Sequence, residues 1–261
     1  MRAGDPTARF DLGGKVALVT GATKGLGRAM VQGLAEAGAD VVVSSRKPDL
    51  CEQVAREVEA STGRRALPAA CHVGDWDAIP ELVERVYGEM GRYDVLVNNA
   101  GINPAPTPVT EITSAYFDKL MSVNVKGPIR LAALVAPRMA EHGGGSIINV
   151  TTVGAYQGGP AVGVYTSSKA ALHNITKVMA AEWVGMGVRV NALAPGPFMT
   201  EMMKGTAKYD PAFIERSASA TLMKRVAEPD EIVGVLLFLA SNASSYVTGE
   251  DFAVAGGMRS N

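Results

Sequence analysis

The sequence predicts an α/β fold, a doubly wound parallel sheet of about seven strands with helices on both faces. Three observations carry that reading. Short runs such as Lys15-Val-Ala-Leu-Val-Thr20 and Ala39-Asp-Val-Val-Val-Ser44 are apolar at nearly every position, as strands are when both faces are buried; a half-exposed strand would alternate. Longer segments with apolar residues at helical spacing separate these runs, so that strand and helix alternate almost to the C-terminus. The 261 residues, 47% hydrophobic and 20% charged, can bury one large core.

The elements follow in order. Lys15 to Thr20 reads as the first strand, and Gly25 to Ala37, with Leu26, Ala29, Met30 and Leu34 on one face, as the first helix. A strand at Ala39 to Ser44, a charged helix at Asp49 to Ala60 and a strand at Ala66 to Val73 come next. Ala78 to Met90 reads as a helix, Asp94 to Asn98 as the fourth strand, and Ser114 to Glu141 as a long helical region. Ser146 to Thr151 is the fifth strand, Val164 to Val184 a helix and Val188 to Ala192 the sixth strand. A helix at Asp230 to Leu239 and a short strand at Asp251 to Val254 complete the series. No linker or repeat divides the chain, which reads as one domain, 1–261. The alternation breaks only between Pro195 and Pro229, where Met199, Met202, Met203, Phe213 and Met223 mix with charges. A long connection at the carboxyl end of a parallel sheet is where a substrate lid belongs, here at about 197–226.

Bulk properties exclude several functions. With 25 Lys+Arg against 26 Asp+Glu, no basic field attracts nucleic acid and no basic run marks a membrane surface. Cys51 and Cys71 are too few for a disulfide framework. His72, His142 and His173 form no metal-ligand pattern, so no metal is expected. Residues 1–14 lack the apolar core of a signal peptide, and the longest apolar stretch, Ile232 to Ala240, is too short to span a bilayer. The expectation is a cytoplasmic protein.

Thr20-Gly-Ala-Thr-Lys-Gly-Leu-Gly27 lies between the first strand and the first helix. Glycines at 21, 25 and 27 let the backbone turn sharply and approach a pyrophosphate, which then meets the free N–H groups of the helix start. Thr23, Lys24 and Leu26 belong to this turn. It is the phosphate-binding arrangement of a Rossmann-like fold. Dinucleotide sites for NAD place an acid at the end of the second strand, on the ribose 2′-hydroxyl. Here that segment reads Ser44-Ser45-Arg46-Lys47. An acid would repel a 2′-phosphate, whereas a guanidinium pairs with it bidentately. Arg46, Ser45 and Lys24 therefore point to NADP(H) in preference to NAD(H).

Tyr165-Thr-Ser-Ser-Lys169 opens an apolar helix, with Tyr165 and Lys169 on one face. A tyrosine of pKa near ~10 is a poor base at neutral pH, and a nearby ammonium lowers that value, so the pair suits proton exchange with a carbonyl or alcohol oxygen.

The glycine turn, Asn98-Asn-Ala-Gly101, Asn124, Tyr165/Lys169 and Pro195-Gly196 before Thr200 occur in this order. Together they resemble the single-domain short-chain dehydrogenase/reductase family, from about Gly14 to Gly257. The resemblance implies a catalytic acid/base at Tyr165, a Lys169 that lowers its pKa and binds the nicotinamide ribose, and an Asn124 that holds a relay water. It implies a cofactor floor from Asn98, Ala100 and Gly101, contacts from Pro195 and Gly196, and a carboxamide contact from Thr200. It also implies a homotetramer, with the C-terminal Ala255-Gly-Gly-Met-Arg259 near a neighbouring subunit.

Two positions depart from the family's pattern. Thr152 stands where a substrate-polarising serine is usual; it keeps the hydroxyl donor, but its methyl group restricts χ1 and crowds the site. His72, followed by Val73, stands where an aspartate usually meets adenine; a neutral imidazole accepts one hydrogen bond there. The activity implied is hydride transfer between nicotinamide and a small-molecule carbonyl or secondary alcohol. Reduction of 3-oxoacyl thioesters is an alternative, although Ile102-Asn-Pro replaces the Thr-Arg-Asp usual in such enzymes. An NADP-binding regulatory protein without turnover is a second alternative, and a sugar-nucleotide epimerase a third.

Overall fold

The computed structural model describes residues 6–104 and 106–258. Residues 1–5, Ala105 and residues 259–261 lie outside the described residues, and with them the expected place of Arg259 at a subunit contact. Seven strands form one parallel sheet in the order β3-β2-β1-β4-β5-β6-β7. They are β1 (Val16–Thr20), β2 (Asp40–Ser45), β3 (Ala66–Ala70), β4 (Val95–Asn98), β5 (Gly145–Val150), β6 (Val188–Pro195) and β7 (Asp251–Val254).

The uniformly apolar strands are explained by what covers them. Ala17 and Val19 of β1 face a core shared with α1 (Gly25–Glu36), α2 (Pro48–Thr62) and α9 (Val233–Ala240), through Met30, Leu34, Val54 and Leu236. Val16 and Leu18 face the opposite core, shared with α3 (Ile79–Met90), α5 (Gly127–Ala140) and α6 (Gly163–Trp183), through Leu82, Val86, Leu131 and Met179. Because side chains alternate across a strand, both cores take residues from every central strand.

The long helical region is interrupted. α4 (Ser114–Met121) passes into a π-helical turn, Ser122–Lys126, before α5. Asn124 sits in that turn, fully buried; such irregularities recur at functional sites. The connection expected to form a lid is broken into α7 (Glu201–Ala207) and α8 (Phe213–Ser219). The expected helix at Asp230 begins instead as a 3₁₀ turn, Pro229–Ile232, closed by a reciprocal Glu228–Glu231 capping box. β3 stops at Ala70, three residues before its expected end, while β6 runs on to Pro195 because β7 pairs with it as far as Pro195↔Val254.

Candidate active site

β1 and β4 are neighbours although the chain leaves β1 in one direction of the sheet and reaches β4 in the other. At such a reversal the loops diverge and leave a crevice beyond the carboxyl ends of the strands. A cavity of about 680 Å³ lies there.

Its floor is fixed by Thr20. The Thr20 hydroxyl donates to the Val97 carbonyl (3.3 Å) and accepts from the backbone N–H groups of Asn99 (3.1 Å) and Ala100 (3.0 Å). The Asn99 amide donates to Thr20 O (2.8 Å), tying the glycine turn to the end of β4. A Cβ on Gly27 would lie 2.2 Å from the Gly21 carbonyl oxygen, so only glycine lets α1 start this close beneath the turn. Gly21 itself has φ +65.

Gly21, Thr23, Lys24, Gly25, Leu26, Gly27, Ser45, Arg46, His72, Val73, Ala100 and Gly101 all line this cavity, as do Thr152, Tyr165, Lys169, Pro195, Gly196 and Thr200. Residues from seven separate loops and helices are thus brought to one place. Thr23 donates to Ser45 (3.1 Å), joining the glycine turn to the end of β2. Arg46 and Lys24 are exposed at the rim and have no acidic partner among the described residues.

Two expected site residues are not on the wall. Asn98 is buried inside the sheet, where its amide donates to Asn149 Oδ1 (2.9 Å), and Asn149 in turn donates to Thr176 of α6 (2.9 Å). It links β4 to the helix that carries Tyr165, and its neighbour Asn99 takes the place on the cavity wall. Asn124 lies behind the wall. Its Oδ1 accepts from Ile102 N (2.9 Å) and its Nδ2 donates to Ile102 O (3.0 Å) and to Ser168 (3.0 Å). Both amide protons are thereby used on the protein, so the side chain pins the loop after β4 to α6.

Lys169 is buried, and its ammonium donates one hydrogen bond, to the Val150 carbonyl (2.8 Å). Burial pulls its pKa down to about 8. Two of its three N–H groups have no protein acceptor among the described residues, and a Cβ on Gly101 would lie 3.1 Å from Nζ, so the glycine leaves the ammonium room. The Tyr165 phenol is half-buried, and burial raises its pKa above the usual tyrosine value, a hydrogen bond with Thr152 opposing the rise. This differs from the lowering that the Tyr–Lys spacing suggests: the ammonium is turned to Val150, and desolvation prevails. Thr152 Oγ1 accepts from Gly154 N (3.2 Å) and lies 3.5 Å from the Pro195 carbonyl. The His72 Nδ1 accepts from Gly74 N (3.1 Å), so the acceptor of a neutral ring is already engaged and Nε2 is left as a donor. The connection after β6 contributes Met202, Met203 and Phe213 to the cavity, but neither Met199 nor Met223. Cys71 also lines it, a residue whose apolar surroundings gave no signal in sequence.

Residues 21–259 match the family model described as Enoyl-(Acyl carrier protein) reductase. The rabbit (Oryctolagus cuniculus) protein Dehydrogenase/reductase SDR family member 4 is 36% identical over 98% of this chain and 98% of its own length. The chain belongs to the short-chain dehydrogenase/reductase family. As a member it is an oxidoreductase with dehydrogenase/reductase activity. It is 38% identical to the 3-oxoacyl-acyl-carrier-protein reductase of Thermotoga maritima, over 95% of this chain and 98% of that one. A crystal structure of a gluconate 5-dehydrogenase from Burkholderia cenocepacia, in complex with NADP and tartrate, superposes with a TM-score of 0.92 at 35% identity, covering 97% of this chain and 98% of that chain. An L-sorbose reductase from Gluconobacter frateurii, complexed with NADPH and L-sorbose, superposes at 0.91 with 30% identity, covering 97% and 99%. Among the described residues no helix is long and apolar enough to cross a membrane, and no cluster of acids, histidines and cysteines could hold a metal ion.

Proposed function

We propose that this short-chain dehydrogenase/reductase is NADP(H)-dependent and interconverts a carbonyl compound and its secondary alcohol, with Tyr165 as the acid/base. One observation carries the reading: Tyr165, Thr152 and the buried Lys169 line the same cavity as a glycine turn that holds Lys24 and lies beside the end of β2, where Arg46 stands and no acid does. The residues fit a dinucleotide. Gly27 and Gly21 keep the turn free of side chains, and Lys169 retains two N–H donors for ribose hydroxyls. The Arg46 guanidinium and the Lys24 ammonium suit a 2′-phosphate. Solved relatives containing NADP or NADPH support the same choice.

When bound, the nicotinamide supplies or accepts the hydride. In reduction Tyr165 gives its phenolic proton to the carbonyl oxygen, and in oxidation it takes that proton back. Thr152 hydrogen-bonds the same oxygen as charge develops on it. Asn124 acts at one remove, holding Ile102 and Ser168 in position around the pair. A phenol whose pKa is raised stays protonated at neutral pH, the form that donates in reduction. A homotetramer is the assembly the resemblance implies; multi-angle light scattering of the purified protein checks the subunit number.

Dissociation constants for NADPH and NADH, followed by turnover of ketones, aldehydes and 3-oxoacyl thioesters, test the proposal. NADPH binds more tightly than NADH, and Arg46→Asp reverses the order. Tyr165→Phe binds NADPH unchanged and turns over no substrate. A protein that binds NADPH but reduces no carbonyl in the panel refutes the enzymatic part of the reading.

A further inference from the structure

Several solved relatives carry names of sugar or sugar-acid enzymes, including the gluconate 5-dehydrogenase and the L-sorbose reductase. The wall of this cavity contributed by the lid, the loop after β5 and the C-terminus has a different chemistry. Met202, Met203 and Phe213 come from the lid, Val153 and Val162 from the loop, and Met258 from the C-terminus. Gly256 (φ +57) and Gly257 (φ +82) turn the chain after β7 so that Met258 reaches the cavity of its own subunit.

Several polar side chains on the same wall are already engaged in part by the protein. Thr206 donates to Met202 O (3.2 Å), Thr166 to Val162 O (3.1 Å), and Glu201 accepts from Lys204 (3.3 Å). The Asn103 Oδ1 is the one buried side-chain acceptor on the cavity without a partner among the described residues. Ser217 and the exposed Lys119 are the remaining candidates.

We propose that this enzyme selects ketones or aldehydes with an apolar body and rejects polyhydroxylated ones. The inference rests on the function proposed above and concerns the substrate class of that site. Three thioethers and a phenyl ring adapt to apolar surface of varied shape. A sugar or sugar acid brings four or five hydroxyls besides the reacting oxygen, and each one stripped of water and left unpaired costs roughly tenfold or more in affinity. Three free polar groups at separate points leave one or two hydroxyls unsatisfied. The discrimination expected is on the order of 10- to 100-fold.

The test uses the full chain with saturating NADPH. kcat/KM is measured for 2-octanone and acetophenone against L-sorbose and 5-ketogluconate. The apolar ketones exceed the sugars by about 10- to 100-fold. Met258→Ser raises KM for 2-octanone roughly tenfold with kcat within about twofold, and Met258→Leu restores it. Turnover of the sugars equal to or above that of the apolar ketones overturns the inference and leaves NADPH-dependent reduction standing. An unchanged KM in Met258→Ser overturns the assignment of that wall to substrate. Absence of turnover with every probe, in a protein that binds NADPH, removes the proposed function and this inference with it.

Discussion

Lys169 offers a prediction in which function and stability pull in opposite directions. In the unfolded chain this lysine titrates near 10.5, and in the folded site near 8, because the buried ammonium has exchanged water for a single carbonyl. Below pH 8 both states carry the proton, and the fold bears the whole cost of the change, ~3 kcal/mol. Between pH 8 and 10.5 the unfolded state binds the additional proton, so this group's contribution makes stability rise with pH. By pH 9.5 roughly 2 kcal/mol of the cost is relieved. The assay compares urea unfolding of Tyr165→Phe with that of Tyr165→Phe/Lys169→Met at pH 7 and 9.5. The shared background removes the phenol, and every other titration cancels in the difference. The double variant loses the hydrogen bond to Val150 at both pH values, which offsets the comparison by a constant. The gap in unfolding free energy therefore shifts by ~2 kcal/mol in favour of the lysine-containing protein as pH rises. Parallel pH dependences in the two proteins refute the argument. The functional counterpart is a fall in kcat/KM for carbonyl reduction above about pH 8, as Lys169 loses its charge.

Three further outcomes follow from geometry. Thr152→Ala removes the hydroxyl that hydrogen-bonds the Tyr165 phenol and is expected to lower kcat by roughly 10²–10³-fold, while Thr152→Ser retains activity; steady-state kinetics of both variants separate the hydroxyl from the methyl group. Gly27→Ala places a methyl group 2.2 Å from the Gly21 carbonyl oxygen, so the turn must open; NADPH affinity measured by fluorescence titration falls by about 5- to 150-fold, on an overpacking cost of about 1–3 kcal/mol. Lys224 adopts φ 53 at the end of the lid, a conformation that costs a side-chain-bearing residue about 1 kcal/mol. Lys224→Gly raises the melting temperature by roughly 2 °C, and an unchanged or lower value shows that the lysine's contact with the Ser219 carbonyl (2.8 Å) outweighs the backbone relief.

What could be read from sequence divides along a physical line. Strand and helix order was legible because burial on both faces leaves uniformly apolar runs, as at Val41-Val-Val43, which face two different cores. The glycine turn was legible because Gly27 admits no substitute at that distance. Which member of an adjacent pair meets the cavity was not: Asn98 and Asn99 differ only in that β4 ends between them, and register pairs Asn98 with Asn149 inside the sheet. The charge state of the Tyr–Lys pair was equally out of reach, since spacing places both groups on a helix face but says nothing of the carbonyl that captures the ammonium. Left-handed Ala161 and Lys224 were invisible because neither is glycine. Ala161 is held in that conformation while its carbonyl accepts from Thr107 N (2.7 Å), joining the loop after β5 to the loop after β4. Those two loops supply Val153, Val162, Ile102 and Asn103 to the cavity wall. The strain at Ala161 therefore lies where the substrate wall is assembled from distant segments, and there a local sequence signal is weakest because the conformation is imposed by contacts more than fifty residues apart.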